Sequence, residues 1–307
     1  MSDLASIAIE HILQQFSSHA STHSSPLFVG LQGPQGIGKT TLARALVAGL
    51  TCAPHSLRVV ALSIDDLYLA HDALQSIGRE NSGNGLLQGR GLPGTHDVQL
   101  GAEVLKTLSL MENTRSAPVD VKTTRIPAYD KSSHQGLGDR VHEGEWPVVQ
   151  SPVDIIILEG WCFGCQPLPP GELTERWERR TELGMPGSVR LEHGIDDIKV
   201  ISNSLKEYAN AWYKYFTCFI QVSPNSDDKL SVVYKWRLQQ EHAMKEANGG
   251  KGMTDEEVIR FVDRYIPGYI FFDEPSARQR DASTPWDGHG LKILVDEERN
   301  PVGIEGF

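Results

Sequence analysis

Between residues 28 and 46 the chain reads FVGLQGPQGIGKTTLARAL. An apolar run passes through a glycine-rich turn into an alanine- and leucine-rich helix. Within it Gly33, Gly38, Lys39 and Thr40 satisfy the pattern G-x-x-x-x-G-K-[ST]. Glycines let the backbone aim its N–H groups at one point with no Cβ in the way. The helix that follows directs its positive dipole end at the same point. Lys39 can reach the outer phosphates of a nucleotide, and the Thr40 hydroxyl can ligate Mg²⁺. The stretch Gly33, Pro34, Gln35, Gly36, Ile37, Gly38, Lys39, Thr40 and Thr41 is therefore the expected ATP cradle, and a strand–loop–helix unit of this kind commits the chain to an α/β fold.

The rest of the chain agrees with that commitment. Arg58–Ile64 (RVVALSI) is a β-branched run ending at Asp65 and Asp66, and Val153–Leu158 (VDIIIL) ends at Glu159. Thr217–Val222 and Leu291–Val295 read as further strands, and Val119–Ile126 as another leading into a polar loop. Apolar residues at helical spacing predict helices over Leu4–Phe16, from Asp97 to Met111, over Ile198–Phe216, over Ser226–Asn248 and over Asp255–Tyr265. Strands alternating with helices indicate a doubly wound, mainly parallel sheet. Residues 1–26 are read as a helix and linker, and 27–307 as one domain. Within it, 161–197, rich in Pro, Gly and charge, is expected to be a loop insertion, and 226–270 a lid with its following helices.

Composition narrows the partners. A formal net charge of −11 argues against a nucleic-acid backbone as the main ligand. Four cysteines in 307 residues make no disulfide framework. Cys162 and Cys165 lack the second ligand pair of a zinc site. No apolar run is long enough to span a bilayer. The first 26 residues carry Asp3 and Glu10 and no Lys or Arg, so neither a secretory signal nor an Arg-rich transit peptide is expected. The expected setting is the cytoplasm, with the nucleus open as a second, no membrane or nucleic-acid partner, and an oligomeric state the sequence leaves open.

Phosphoryl transfer needs a phosphate cradle, a metal, a positioned acceptor and cations for the developing charge. In open α/β sheets these gather beyond the carboxyl ends of the strands. Asp65 stands there as the candidate base for the acceptor hydroxyl. Glu159 stands there to hold Mg²⁺ or its water with Thr40. Thr40, Asp65 and Glu159 form the expected metal-associated set.

The phosphate loop, SIDDLY (63–68) and IIILEG (155–160) together resemble the uridine kinase, phosphoribulokinase and pantothenate kinase superfamily. RGLPGTHD (90–97), PAYDKSSH (127–134), GDR (138–140), EGWCFG (159–164), WRLQQE (236–241) and GKGMTDEEVIRFVDRYIPGY (250–269) resemble the plant- and fungal-type D-glycerate 3-kinases. The resemblance implies a P-loop kinase sheet of five strands in the order 2-3-1-4-5 with a helical lid. It implies Mg-ATP-dependent transfer to the 3-hydroxyl of D-glycerate. Asp65 falls where those kinases carry the catalytic aspartate and Glu159 where they carry the metal-associated acid. Tyr129 and His134 match the acceptor-facing P-x-Y-D-x-x-x-H pattern, and Arg237 lies where the lid sends an arginine over the phosphates.

A small hydroxy acid needs a cationic clamp. The loops offer Arg90, His96, Arg125, Lys131 and Arg140, with Arg90 and Arg140 favoured because glycines flank them. Tyr68 and Tyr129 are the aromatics there, with Trp161 beside them, few for stacking a nucleobase. Two alternatives stay open. One keeps the chemistry with a nucleoside, a pantothenate-like alcohol or another sugar acid as acceptor. The other is a nucleotide-dependent switch or assembly factor. A GTPase would carry an N-K-x-D motif, which is absent, and a decayed kinase would have lost Lys39, Asp65 or Glu159, which are present.

Overall fold

The computed structural model describes residues 3–113, 121–247, 249–273 and 284–307. Its centre is a six-stranded sheet built from β1 (Leu27–Gln32), β2 (Val59–Ser63), β3 (Ile155–Gly160), β4 (Cys218–Pro224), β5 (Gly290–Val295) and β6 (Pro301–Gly306). The order across the sheet is β2-β3-β1-β4-β5-β6. All pairings are parallel except β5–β6, which is antiparallel. Count and order thus differ from the expected five-stranded arrangement, because β6 adds an antiparallel edge strand. Its sequence, PVGIEG, has two glycines and a proline, and Val302 and Ile304 are exposed, so it lacks the apolar run that marks the buried strands.

Residues alternate between two cores. Ile155 and Ile157 of β3 pack with Leu27, Val29 and Leu31 of β1 and Ile220 of β4 on one face. Ile156 and Leu158 pack with Phe28 and Phe219 on the other. This period of two, with both faces covered, explains why VDIIIL is apolar throughout. Gly30 in β1 is small because a Cβ there would stand 2.5 Å from the Phe219 ring and 2.9 Å from Phe163.

Helices α1 (Asp3–His19) and α2 (Lys39–Thr51) cover the first face; Ala5, Ala8, Ile12 and Phe16 of α1 and Leu42, Leu46 and Leu50 of α2 are buried there. On the other face lie α3 (His71–Glu80), α4 (Val98–Ser109), α5 (Pro170–Glu178), α6 (Gly187–Glu192), α7 (Ile195–Ala211), α8 (Lys229–Ala247), α9 (Asp255–Asp263) and α10 (Ile266–Phe272). Of these, α8 reaches both cores, through Val233 on one side and Val232 and Trp236 on the other.

Three local readings change. The stretch 161–197, read as a loop, carries α5 and α6, with Leu173 and Val189 buried. The strand expected at Val119–Ile126 is a short Thr123–Arg125 ribbon with Val148–Gln150, outside the central sheet; residues 119 and 120 lie outside the described residues. Helix α3 carries too few apolar residues to stand out in sequence, and buries only His71, Leu74 and Gly78. The predicted end of α8 at Asn248 also lies outside the described residues. No described helix is long and apolar enough to cross a membrane.

Candidate active site

The turn between β1 and α2 is a cradle of backbone donors. Gly36 and Gly38 take φ of +77° and +99°, a region open to glycine. A Cβ on Gly38 would meet nothing within 4 Å, so space lies open on that side of the turn. Helix α2 begins at Gly38 with no side-chain cap and no acidic residue in its first turn. Its first N–H groups therefore keep their capacity for an anion. Lys39 Nζ donates to the Pro34 carbonyl at 3.0 Å. Burial depresses the Lys39 ammonium, and the Glu159 and Asp65 carboxylates pull it back up. One cation thus senses both strand-end acids.

Thr40 Oγ1 donates to Glu159 Oε1 at 3.1 Å, and Glu159 is buried at the end of β3. This hydroxyl–carboxylate pair fits Mg²⁺, which takes one or two protein oxygens and completes its shell with phosphate and water. No group of three or more His, Cys, Asp or Glu side chains placed to hold a metal ion occurs among the described residues. Cys162 and Cys165 are buried and not disulfide-bonded, and burial pushes the Cys162 thiol far up, away from the thiolate that redox or metal chemistry uses.

Asp65 lies in a single helical turn after β2, where a capping box of Ser63 and Asp66 fixes the backbone. Its Oδ2 pairs with Lys131 Nζ at 2.5 Å, and its Oδ1 accepts from the Tyr68 hydroxyl at 3.0 Å. Burial alone would raise this carboxyl. The Lys131 charge and hydrogen bond, then His96 and Tyr68, outweigh burial and hold it below the usual carboxylate range. Asp66 behaves oppositely: burial lifts it to about 6, although Ser63 and Tyr129 N–H groups bind it.

Tyr68 is buried, stacks on His96 with centroids 4.3 Å apart and meets Tyr129 edge-on at 5.4 Å. His96 Nδ1 lies 2.6 Å from the Tyr208 hydroxyl, whose oxygen also accepts from Gly94 N, while its buried Nε2 has no partner. Burial pushes His96 down to about 4, so it is neutral near pH 7.

The two arginines favoured by sequence are committed elsewhere. Arg140 donates to Asp97 Oδ2 and the Tyr68 carbonyl, both at 2.9 Å. Arg90 lies 5.9 Å over the Tyr129 ring and donates to the carbonyls of Gly136, Leu137 and Lys131. His134 pairs with Asp139 at 3.1 Å and stacks on His71. On α8, Arg237 pairs with Glu241 at 2.8 Å, largely buried, with its guanidinium over Phe261.

Three further residues hold this arrangement. Tyr269 accepts from Gln35 N of the phosphate loop at 3.1 Å. Arg264 donates to the Gly89 and Arg90 carbonyls. Arg299, between β5 and β6, donates to the Gly36 carbonyl at 2.9 Å and lies over Trp236. The first two sit inside the DRYIPGY segment, so the motif was visible although its contacts were not.

No family model matches the chain. The chain is 34% identical over 90% of its length to a D-glycerate 3-kinase, chloroplastic, of Arabidopsis thaliana, and spans about half of that relative (54%). An uncharacterized kinase of Schizosaccharomyces pombe, mug58, is 35% identical over 96% of this chain and 97% of its own. A solved structure of a D-glycerate 3-kinase from Cryptococcus neoformans superposes with a TM-score of 0.87 at 34% identity, covering all of both chains. Full-length similarity of this degree, around an intact phosphate loop and paired strand-end acids, settles membership: the chain belongs to the D-glycerate 3-kinase family of ATP-dependent P-loop kinases.

Proposed function

We propose that this chain transfers the γ-phosphoryl group of Mg-ATP to the 3-hydroxyl of D-glycerate, giving 3-phospho-D-glycerate and ADP. The full-length likeness to the Cryptococcus D-glycerate 3-kinase carries the choice of acceptor. The local chemistry agrees with it: the carboxylate at Asp65 sits among Lys131, Tyr68 and His96 and is sensed by the phosphate-loop lysine.

Residues 33–41 surround the triphosphate, with backbone N–H groups of Gly36 and of the first turn of α2 as donors and Lys39 neutralising the transferring phosphoryl group. Thr40 and Glu159, with Asp65, would hold Mg²⁺, which would supply charge neutralisation for the phosphates when bound. Asp65 accepts the proton of the attacking hydroxyl as the O–P bond forms and the bond to ADP breaks. Asp65 is kept ionised by its cationic and hydroxyl neighbours, so it is ready as a base at neutral pH.

Tyr68, His96, Tyr129 and Arg90 line the acceptor side, and Arg140 and His134 brace the loops that carry them. Arg237 serves the phosphates when the segment 226–270 closes and its pairing with Glu241 is exchanged. The same reading places the protein in the cytoplasm, acting on a small molecule without nucleic-acid or membrane partners. ADP release on a panel of D-glycerate, L-glycerate, uridine and pantothenate tests the acceptor. Turnover confined to D-glycerate supports the reading; turnover confined to uridine or pantothenate sinks it.

A further inference from the structure

The loops carry five cationic or imidazole side chains that could meet an acid acceptor, and four are already engaged or neutral. Arg140 is tied to Asp97. Arg90 spends its guanidinium on backbone carbonyls. Arg125 does the same with Gly144 and Trp146. His96 is neutral near pH 7. Lys131 differs, because its ammonium meets Asp65, the proposed base.

The setting of Lys131 lets that contact be exchanged. Its backbone is anchored: neighbouring Asp130 accepts from Ser132 N at 2.9 Å and from the Ser132 and Ser133 hydroxyls at 2.6 Å. Arg90 holds the Lys131 carbonyl at 3.4 Å. Its side chain, by contrast, is 55% exposed, and four flexible methylenes let the ammonium move at little cost. The loop is fixed and the charge is mobile.

With Lys131 in place, one oxygen of Asp65 is taken by the ammonium and the other by Tyr68. Each carboxylate oxygen can accept more than one hydrogen bond, so an acceptor hydroxyl arriving on the Lys131 side competes with the ammonium for Asp65 Oδ2. A neutral alcohol that displaces Lys131 breaks this ion pair and offers the ammonium no counter-ion in return, so the ammonium goes back to water. A hydroxy acid brings its own carboxylate a few bonds from the reacting hydroxyl, so the ammonium exchanges one carboxylate for another.

We propose that Lys131 is the residue that selects acid acceptors: it covers Asp65 in the ligand-free site and passes to the acceptor's carboxylate as the hydroxyl takes its place. This rests on the reading of Asp65 as base and of a small hydroxy acid as acceptor. Rejection of neutral alcohols then comes from breaking an existing ion pair as well as from lacking a new one.

The test compares wild type, Lys131→Met and Lys131→Arg on D-glycerate and on its uncharged amide, glyceramide, at saturating Mg-ATP. The expected result is a loss of about 10- to 100-fold in kcat/KM for D-glycerate in K131M, carried mainly by KM. Turnover of glyceramide by K131M stays level or rises, since Asp65 is uncovered, and K131R recovers part of the preference for the acid. Unchanged ADP affinity and thermal midpoint in K131M establish that the fold is intact, as expected for an exposed side chain. Equal losses on acid and amide, or no loss on either, overturn the role of Lys131 while leaving the glycerate reading standing. A wild type that ignores D-glycerate overturns that reading, and the proposal with it.

Discussion

Thr40 Oγ1 donates to Glu159 Oε1 at 3.1 Å, joining the first turn of α2 to the carboxyl end of β3. The parallel register places Leu31, two residues before the phosphate loop, beside Glu159, so the sheet itself brings the Thr40 hydroxyl and the Glu159 carboxylate together. Replacing either group should weaken Mg²⁺ rather than unfold the chain. We expect Thr40→Val and Glu159→Gln each to raise the Mg²⁺ needed for half-maximal rate by roughly 10- to 100-fold. Chelation should abolish turnover, and added Mg²⁺ should restore it. A Mg²⁺ titration of the rate checks this; unchanged half-saturation would remove the pair from the metal site.

Asp65→Asn keeps the volume and the hydrogen bond from Tyr68 but removes the base. A fall in kcat of about 10²- to 10⁴-fold with ATP affinity retained is expected. A nucleotide-dependent switch would bind and respond normally with asparagine there. Steady-state kinetics paired with nucleotide titration separates the two.

Gly36 faces α8. A Cβ on it would stand 2.6 Å from Trp236 Cβ and 2.8 Å from the Trp236 carbonyl carbon, at a φ of +77°. Gly36→Ala should therefore destabilise the fold by about 1–3 kcal/mol from backbone strain alone. It should also push α8 off the phosphate loop and raise KM for ATP. Denaturant midpoints and ATP kinetics measure the two effects, and a variant indistinguishable from wild type in both would show that α8 is not seated on Gly36.

His96 gives a pH dependence of stability. Burial holds the imidazole down at about 4 in the folded chain, below its value of roughly 6.5 when unfolded. The unfolded chain therefore takes up the proton first. The stability tied to neutral His96 is complete above about pH 6.5 and is lost as pH falls toward 4. His96→Phe removes this slope, so the stability gap between wild type and variant should narrow between pH 7 and pH 5. Denaturant melts across that range would show it; a gap that stays constant would mean His96 is free to protonate in the folded state.

What sequence made legible was local. The phosphate loop declares itself because its glycines, lysine and threonine occur at fixed spacing, and β3 because both of its faces are buried. Asp65 and Glu159 could be singled out since each directly follows an apolar strand. The acceptor side was legible in membership but not in wiring. Arg140 looked like a free clamp, yet its partner Asp97 lies 43 residues away, and no local pattern encodes such a pairing. Lys131 gave no sign that it would meet Asp65, 66 residues earlier, and the backbone contacts of Arg264 and Arg299 exist only once the helices pack. Helix α3 and strand β6 stayed hidden because they bury too little apolar surface to impose a period.

Phosphorus NMR of the protein incubated with ATP, Mg²⁺ and D-glycerate tests phosphoryl transfer to the 3-hydroxyl. A phosphomonoester resonance matching 3-phospho-D-glycerate is expected to grow, with ADP formed in equal amount and both formed far more slowly by Asp65→Asn. Production of 2-phosphoglycerate, or ATP left intact beside D-glycerate while another acceptor is phosphorylated, would contradict it.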